Sequence, residues 1–245
     1  MILLNKTNSS RNIIIPWPLS EDGMKRAPRT CVPARGPRLT GIAELLDYAI
    51  KTAQILVPLF LLVGCASTQT FNRTEFENSI VTQQEWGGVA ADSGRVHQIR
   101  SITLHHEGES FPPGKDPIEY LRNLQKWSRT EKHWIDIPYH YIIDLNGRVY
   151  EGRPIRFAGD TNTDYDPAGH ALVCVVGNFE EVEPNEAQLR AVVNVFTWLC
   201  RKYDITPDKI RGHKDLASGT VCPGKNLYRY LQNGYLQKEV AKLMQ

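Results

Sequence analysis

The order of apolar and polar residues from Ile80 onward predicts a mixed α/β domain, because short β-branched runs alternate there with longer amphipathic stretches. Residues 99–104 (IRSITL) and 139–144 (YHYIID) have the pattern of strands. Residues 171–177 (ALVCVVG) are a continuous apolar run, which is typical of a central strand buried on both faces. Asn146-Gly147, just before the run RVYEG, indicates a β-hairpin.

Three amphipathic stretches predict helices that pack on this sheet. The first begins after Asp116, whose side chain can cap it, and the second begins after Asn185, with Gln188 three positions on. The third follows Pro223. The positions expected to face the core are Ile118, Leu121, Leu124 and Trp127 in the first helix, Leu189, Val192, Val193, Phe196, Leu199, Cys200 and Tyr203 in the second, and Leu227, Tyr230 and Leu231 in the third.

An apolar run over residues 55–64 precedes Cys65 and follows Lys51, which is the order of an export signal. The tetrapeptide LVGC that ends at Cys65 resembles the lipobox of bacterial lipoproteins. It predicts a lipoprotein signal over residues 51–65 and membrane attachment through a lipidated Cys65. The alternative is a buried apolar helix in which the cysteine is incidental.

The residues on either side of this signal have different characters. Residues 1–50 are rich in proline and arginine without helical periodicity, so we expect a disordered extension or a start site assigned too early. Residues 66–79 begin with a polar stretch and are expected to be a tether. The folded domain is therefore expected over residues 80–245. Ala66, directly after the cysteine, resembles lipoproteins sorted to an outer membrane, which predicts the periplasmic face of that membrane in the cell envelope.

Composition and charge exclude some classes of function. A hydrophobic fraction of 41% and a charged fraction of 23% are ordinary for a globular protein. The formal net charge of +2, with scattered lysines and arginines, argues against a nucleic-acid partner. The five cysteines are odd in number and lack C-x-x-C spacing, so a disulfide framework is not expected. Cys174 and Cys200 are expected to be free buried thiols, with a disulfide between them as the alternative.

Candidate metal ligands occur at three separate places beside chain breaks or strand ends: the adjacent His105 and His106, then His213, then Cys222. Two imidazoles and a thiolate leave a fourth position of a tetrahedral zinc ion open, which is typical of a catalytic site. Asp215 is a candidate acceptor that would orient the imidazole of His213. Each signal is weak alone, and spacing does not bring His105 to the other two. The residues by themselves leave buried structural roles equally open.

Six motifs in order carry a more specific signal. They are Glu85-Trp86-Gly87, Leu104-His105-His106, Tyr139-His140, DLNGRVYEGR over 144–153, Val176-Gly177-Asn178-Phe179, and GHKDLASGTVCPG over 212–224. Together they resemble the superfamily of type-2 amidases and peptidoglycan recognition proteins. The resemblance covers nearly the whole region from residue 84 to about residue 230.

This resemblance implies a central mixed β-sheet flanked by α-helices, and N-acetylmuramoyl-L-alanine amidase activity with one zinc ion. It assigns His105, His213 and Cys222 as the ligands of that ion. His106 would alternate to the other side of its strand unless a bulge re-aims both rings. The implied partner is peptidoglycan or its muropeptide fragments, and the protein is expected to be a monomer.

The resemblance also assigns two residues to catalysis. Tyr139 matches an active-site tyrosine of the family, and Thr220 matches a threonine of catalytic recognition proteins, where phage-type amidases commonly have lysine. The main alternative function is a module that binds peptidoglycan without cutting it. A second alternative is a zinc ion that only joins loops, which requires a fourth protein ligand such as His106, His140 or His170.

Overall fold

The computed structural model of this protein describes residues 71–245. The extension over 1–50, the signal with Cys65 and residues 66–70 of the tether lie outside this range. The helices are α1 (Arg73–Ser79), α2 (Pro117–Thr130), α3 (Glu186–Tyr203), α4 (Lys225–Gln232) and α5 (Tyr235–Met244). The strands are β1 (Ser101–His106), β2 (Tyr141–Ile143), β3 (Val149–Glu151), β4 (His170–Val175) and β5 (Ile210–Gly212). Short 3-10 turns cover Pro207–Lys209 and His213–Asp215.

The five strands form one mixed sheet in the order β3-β2-β4-β1-β5. Strand β4 is central, as its apolar run predicts, and it pairs in parallel with β1 and β2. Strands β2 and β3 are the predicted hairpin, and Gly147 takes the positive φ of 77° that its turn requires. Helices lie against the sheet, so the expected fold is confirmed. Strand β1 continues to His106, two residues beyond the predicted end.

The strands bury a different core on each face because successive side chains point to opposite sides. On one face, Ile102, Val173 and Tyr141 belong to a large apolar cluster with α3, α4 and α5. On the other face, Cys174 and Ile142 belong to a smaller cluster with α2. His105 pairs in register with Cys174, which places it on the α2 side of the sheet.

The predicted caps and helix faces are largely as expected. Asp116 accepts a hydrogen bond from the Ile118 N–H at 2.9 Å, and Asn185 and Gln188 form a reciprocal capping box at the start of α3. Helix α2 differs from the prediction in one position. Trp127, predicted to face the core, is 42% exposed, because α2 turns Gln125 and Ser128 inward beside the correctly predicted Leu121.

The second half of the expected tether is structured. Residues 73–79 form α1, and Phe76 packs against Trp198 of α3 with a ring-centroid distance of 5.8 Å. The Trp198 indole N–H donates to the Glu77 carboxylate at 2.8 Å. The folded domain therefore begins before Ile80, because two aromatic side chains of this segment, Phe71 and Phe76, have an apolar cluster to pack on. None of the helices in residues 71–245 has the length and apolar character required to span a membrane.

A buried histidine makes stability depend on pH. His140 is fully buried; its Nε2 lies 2.9 Å from the Phe157 carbonyl oxygen, and its Nδ1 accepts the Leu172 N–H at 2.8 Å. Burial lowers the pKa of His140 to about 3. A proton on Nδ1 would remove the acceptor that the Leu172 N–H needs. Because the folded pKa is below the unfolded value of about 6.5, this stability is complete above pH 6.5 and is lost as pH falls towards 3.

We therefore expect the unfolding free energy to fall below pH 6.5, with His140 contributing about 1.4 kcal/mol per pH unit. Urea titrations between pH 7.5 and 4.5 measure this slope. His140→Asn should have a shallower slope by about one proton, whereas His133→Asn, at an exposed position, should retain the original slope. Equal slopes for the two variants would show that His140 does not couple folding to protons.

Candidate metal centre

Two of the three candidate ligands come from the ends of neighbouring parallel strands. His105 is the penultimate residue of β1, and His213 directly follows β5, whose last residue Gly212 pairs with Leu104. The Asp215 carboxylate accepts the Gly212 N–H at 2.8 Å and so stabilises the 3-10 turn that begins at His213. Parallel pairing thus brings together two imidazoles that are far apart in sequence.

The third candidate returns to the same place through a closed loop. The Lys214 N–H donates to the Cys222 carbonyl oxygen at 2.8 Å, so the chain from His213 to Cys222 begins and ends beside the strand ends. The His106 N–H also points at the Cys222 sulfur, at 3.4 Å. This backbone donor favours the thiolate form of the cysteine, which is the form that binds metals.

The geometry fits a tetrahedral zinc ion. One nitrogen of each imidazole of His105 and His213 and the Cys222 sulfur all lie within 4.8 Å of one another. The His105 Nδ1 is 3.6 Å from the sulfur. Zinc–sulfur and zinc–nitrogen bonds of about 2.3 and 2.0 Å at a tetrahedral angle require a separation of about 3.5 Å. Among residues 71–245 this is the one such group of histidine, cysteine and acidic side chains, and it has three members.

Burial determines the charge of these groups. It lowers the pKa of His105 far below the usual range, with His213 adding to the shift, and it also lowers the pKa of His213. Both imidazoles are therefore neutral at pH 7, as metal ligands must be. Burial raises the pKa of the Cys222 thiol to about 12, partly offset by the His106 N–H. A divalent cation would offset this cost and favour the thiolate.

The remaining histidines near the centre have other partners. His106 points to the opposite face, as alternation predicts, and its Nδ1 accepts the Phe179 N–H at 3.3 Å. His170 is the first residue of β4, and its Nδ1 lies 2.8 Å from the Thr103 hydroxyl. His140 is bonded at both nitrogens. Within residues 71–245 the group therefore keeps three members, and none of these histidines supplies a fourth ligand.

The prediction that Asp215 orients the imidazole of His213 is wrong. Asp215 does not contact the imidazole, because its carboxylate accepts from the Gly212 N–H and, at 2.5 Å, from the Tyr228 hydroxyl. Instead, the Thr163 hydroxyl lies 2.8 Å from the His213 Nε2. The Tyr165 hydroxyl lies 3.5 Å from the His105 Nε2. Sequence reasoning missed both residues, since they belong to a polar loop without periodicity.

The two residues assigned to catalysis lie beside the candidate ligands. The Tyr139 ring is half-buried, with its centroid 5.2 Å from that of His105. Burial, and then the neighbouring Cys174, raises the pKa of Tyr139 well above its usual value, so the hydroxyl keeps its proton and can donate a hydrogen bond. The half-buried Thr220 accepts the Cys222 N–H at 3.2 Å through its hydroxyl oxygen. Their roles in a reaction stay predictions.

Comparison with known proteins decides the family. Residues 95–225 match the family model described as N-acetylmuramoyl-L-alanine amidase, and this match covers more than half of the chain. The chain belongs to this amidase family. It is also similar to peptidoglycan recognition protein 1 of Mus musculus, with 31% identity over 180 residues that cover 71% of this chain and 93% of that protein.

Solved structures agree with membership of the amidase family. Drosophila peptidoglycan recognition protein SD matches with a TM-score of 0.55 and 28% identity, over 62% of this chain and 92% of that one. The ectodomain complex of recognition proteins LCa and LCx, solved with bound tracheal cytotoxin, matches with a TM-score of 0.56 and 26% identity, over 62% and 94% of the two chains. The family and these relatives support peptidoglycan binding or amidase activity.

A cleft in the amidase fold is connected to the candidate metal centre through two threonine side chains. Its volume is about 390 Å³, and its lining includes Arg95, Trp134 and Thr161. The Thr161 hydroxyl is 2.7 Å from that of Thr163, which contacts His213, so two side-chain contacts connect the cleft wall to a candidate ligand.

Two cysteines outside the candidate centre are buried and free. Cys174 and Cys200 form no disulfide, so the expected free thiols are confirmed. They belong to different apolar clusters, Cys174 to the one with α2 and Cys200 to the one with α3. Each therefore packs as a small apolar side chain.

Proposed function

We propose that this protein is a zinc-dependent N-acetylmuramoyl-L-alanine amidase, which hydrolyses the amide between N-acetylmuramic acid and L-alanine in peptidoglycan or muropeptides. The observation that carries this proposal is the convergence of His105, His213 and Cys222, with their ligand atoms within 4.8 Å. Membership of the amidase family supports the choice of reaction.

The protein groups at the centre suit one zinc ion with an open position. His105 and His213 would bind it as neutral imidazoles, and Cys222 would bind it as a thiolate. When bound, zinc supplies a Lewis acid that polarises a carbonyl group and lowers the pKa of a water molecule towards about 7. Because the ligand set has three members, a bound zinc ion would keep a fourth position for water or substrate.

Hydrolysis joins a water oxygen to the lactyl carbonyl carbon, breaks the carbon–nitrogen bond, and leaves the second water proton on the L-alanine amine. Negative charge develops on the carbonyl oxygen before that bond breaks. Tyr139 is suited to donate a hydrogen bond to this oxygen, because its hydroxyl stays protonated and its ring lies beside His105. Thr220, whose hydroxyl oxygen accepts the Cys222 N–H, would help to position the substrate or the water.

The adjacent cleft provides room for the rest of the substrate. Trp134 offers a partly exposed aromatic face for a sugar or peptide, and Arg95 adds a cationic side chain. Trp86 and Arg153, which belong to the ordered motifs of the sequence, are fully buried, and both donate hydrogen bonds to main-chain carbonyl oxygens. Trp86 therefore supports the fold, whereas Arg153 forms part of the cleft wall and is held there by its bond to the Ile137 carbonyl oxygen.

Metal removal tests the proposal. Purified protein should release stem peptides from defined muropeptides, lose this activity after treatment with a chelator, and regain it when about one equivalent of zinc is added. Chromatography and mass spectrometry of the products identify the bond that is cut. Cleavage at another bond, or activity that survives complete metal removal, would refute the proposal.

A second function, peptidoglycan binding without cleavage, is favoured by the similarity to recognition proteins. The same samples distinguish the two functions. Muropeptide binding by zinc-loaded protein, measured by calorimetry, together with no released stem peptide would identify a binding module.

A further inference from the structure

One loop contacts the Nε2 atoms of both candidate histidine ligands, which we call their outer nitrogens. We name residues 161–166 the bracket loop. The hydroxyl of Thr163 lies 2.8 Å from the His213 Nε2, and the hydroxyl of Tyr165 lies 3.5 Å from the His105 Nε2. The Tyr165 ring also packs against His213, with a centroid distance of 5.1 Å. Two residues of a single loop thus touch two imidazoles, one in β1 and the other in the turn that follows β5.

These contacts bear on which nitrogen of each ring is free to bind a metal. The His105 Nδ1 faces the Cys222 sulfur at 3.6 Å, on the opposite side of the ring from Tyr165. A hydroxyl that accepts a hydrogen bond from Nε2 fixes the proton there and leaves the lone pair on Nδ1. An oxygen partner on the outer nitrogen also makes an imidazole a better ligand and fixes its orientation.

We propose that Thr163 and Tyr165 are positioning residues of the metal centre, which hold His213 and His105 in the Nε2-protonated form with Nδ1 directed at the ion. The inference rests on the zinc site of the proposed function and extends it to residues that do not touch the ion. Thr163 contributes more to this positioning than Tyr165 does. Its contact of 2.8 Å is within hydrogen-bond range, whereas the contact of Tyr165, at 3.5 Å, is at the limit of that range.

The bracket loop is itself anchored to the segment that carries His213 and Cys222. The Asp164 carboxylate accepts the Ser218 hydroxyl at 2.8 Å and the Ser218 N–H at 3.2 Å. Ser218 lies between His213 and Cys222 in sequence. Two further contacts hold the loop in place. The Thr161 hydroxyl forms a hydrogen bond with the Thr163 hydroxyl, and Asp166 forms an ion pair with Arg95. Because the loop and the ligand segment are joined, the position of Thr163 is set relative to the imidazole that it contacts.

Zinc affinity tests this role without reference to catalysis. In full-length protein, Thr163→Val should weaken zinc binding by about 10- to 100-fold, measured by competition with a chromophoric chelator. Thr163→Ser keeps the hydroxyl and should bind zinc nearly as well as the wild type. Tyr165→Phe should weaken binding by a smaller factor. Thr130→Val, the same chemical change at an exposed position at the end of α2, should leave the affinity unchanged.

A second readout separates positioning from general damage to the fold. Cobalt substituted for zinc reports ligand geometry through its visible absorption, which should change in Thr163→Val and be restored in Thr163→Ser. Equal zinc affinity and equal cobalt spectra for wild type, Thr163→Val and Tyr165→Phe would overturn the positioning role. A wild type that binds zinc tightly but releases no stem peptide would instead refute the amidase proposal and leave the inference standing.

Discussion

Replacing Cys222 with serine should abolish amidase activity and strongly weaken zinc binding. The loss of affinity should exceed the factor of about 10 to 100 that is expected when a residue supporting a ligand is replaced. The sulfur is one of three ligand atoms within 4.8 Å, and it receives the His106 N–H. A serine hydroxyl stays neutral at pH 7 and cannot replace a thiolate as a charged ligand. Zinc content by mass spectrometry and stem-peptide release from muropeptides measure the two effects.

Cys200→Ser is the matched control for this variant. Cys200 is also buried and free, but it packs in the apolar cluster of α3, away from the ligand group. The Cys200→Ser substitution should lower the free energy of unfolding, because it buries a hydroxyl group, while the zinc content stays at one equivalent. Normal stem-peptide release by Cys222→Ser would show that Cys222 is not a ligand and that the proposed centre is wrong.

Replacing Tyr139 with phenylalanine should lower kcat by about 10²- to 10³-fold, which is the usual effect of removing one donor to a developing oxyanion. The change deletes only the hydroxyl, so the ring should still pack beside His105 and the zinc content should not change. KM should change little, because the hydrogen bond is expected to strengthen only as charge develops. Steady-state kinetics on a defined muropeptide test this.

Tyr141→Phe provides the comparison. Tyr141 lies two residues further along the chain but points to the opposite face of the sheet, where its ring packs on Trp198 at a centroid distance of 5.2 Å. Its loss of a hydroxyl should not affect kcat. Loss of zinc from Tyr139→Phe would show that the tyrosine supports the metal, and an unchanged kcat would remove it from the mechanism.

The sequence determined the local features of this protein because their causes lie within a few residues. These features depend only on residues that are close in sequence. They are the helix caps at Asp116 and Asn185, the Asn146-Gly147 turn and the apolar run of β4. Ordered motifs added the family, which is confirmed. Local pattern was less reliable for Trp127 and residues 73–79, because packing partners elsewhere in the chain decide burial.

The assembly of the candidate site depends on contacts between distant parts of the chain. His105 meets His213 because β1 and β5 pair in parallel, and no local signal predicts which strands become neighbours. The same holds for the partners of the imidazoles: Asp215 is near His213 in sequence but bonds to Gly212 and Tyr228, whereas Thr163 is fifty residues away and contacts the ring. Ligand identity is a property of residue chemistry, but orientation depends on contacts that exist only after the chain has folded.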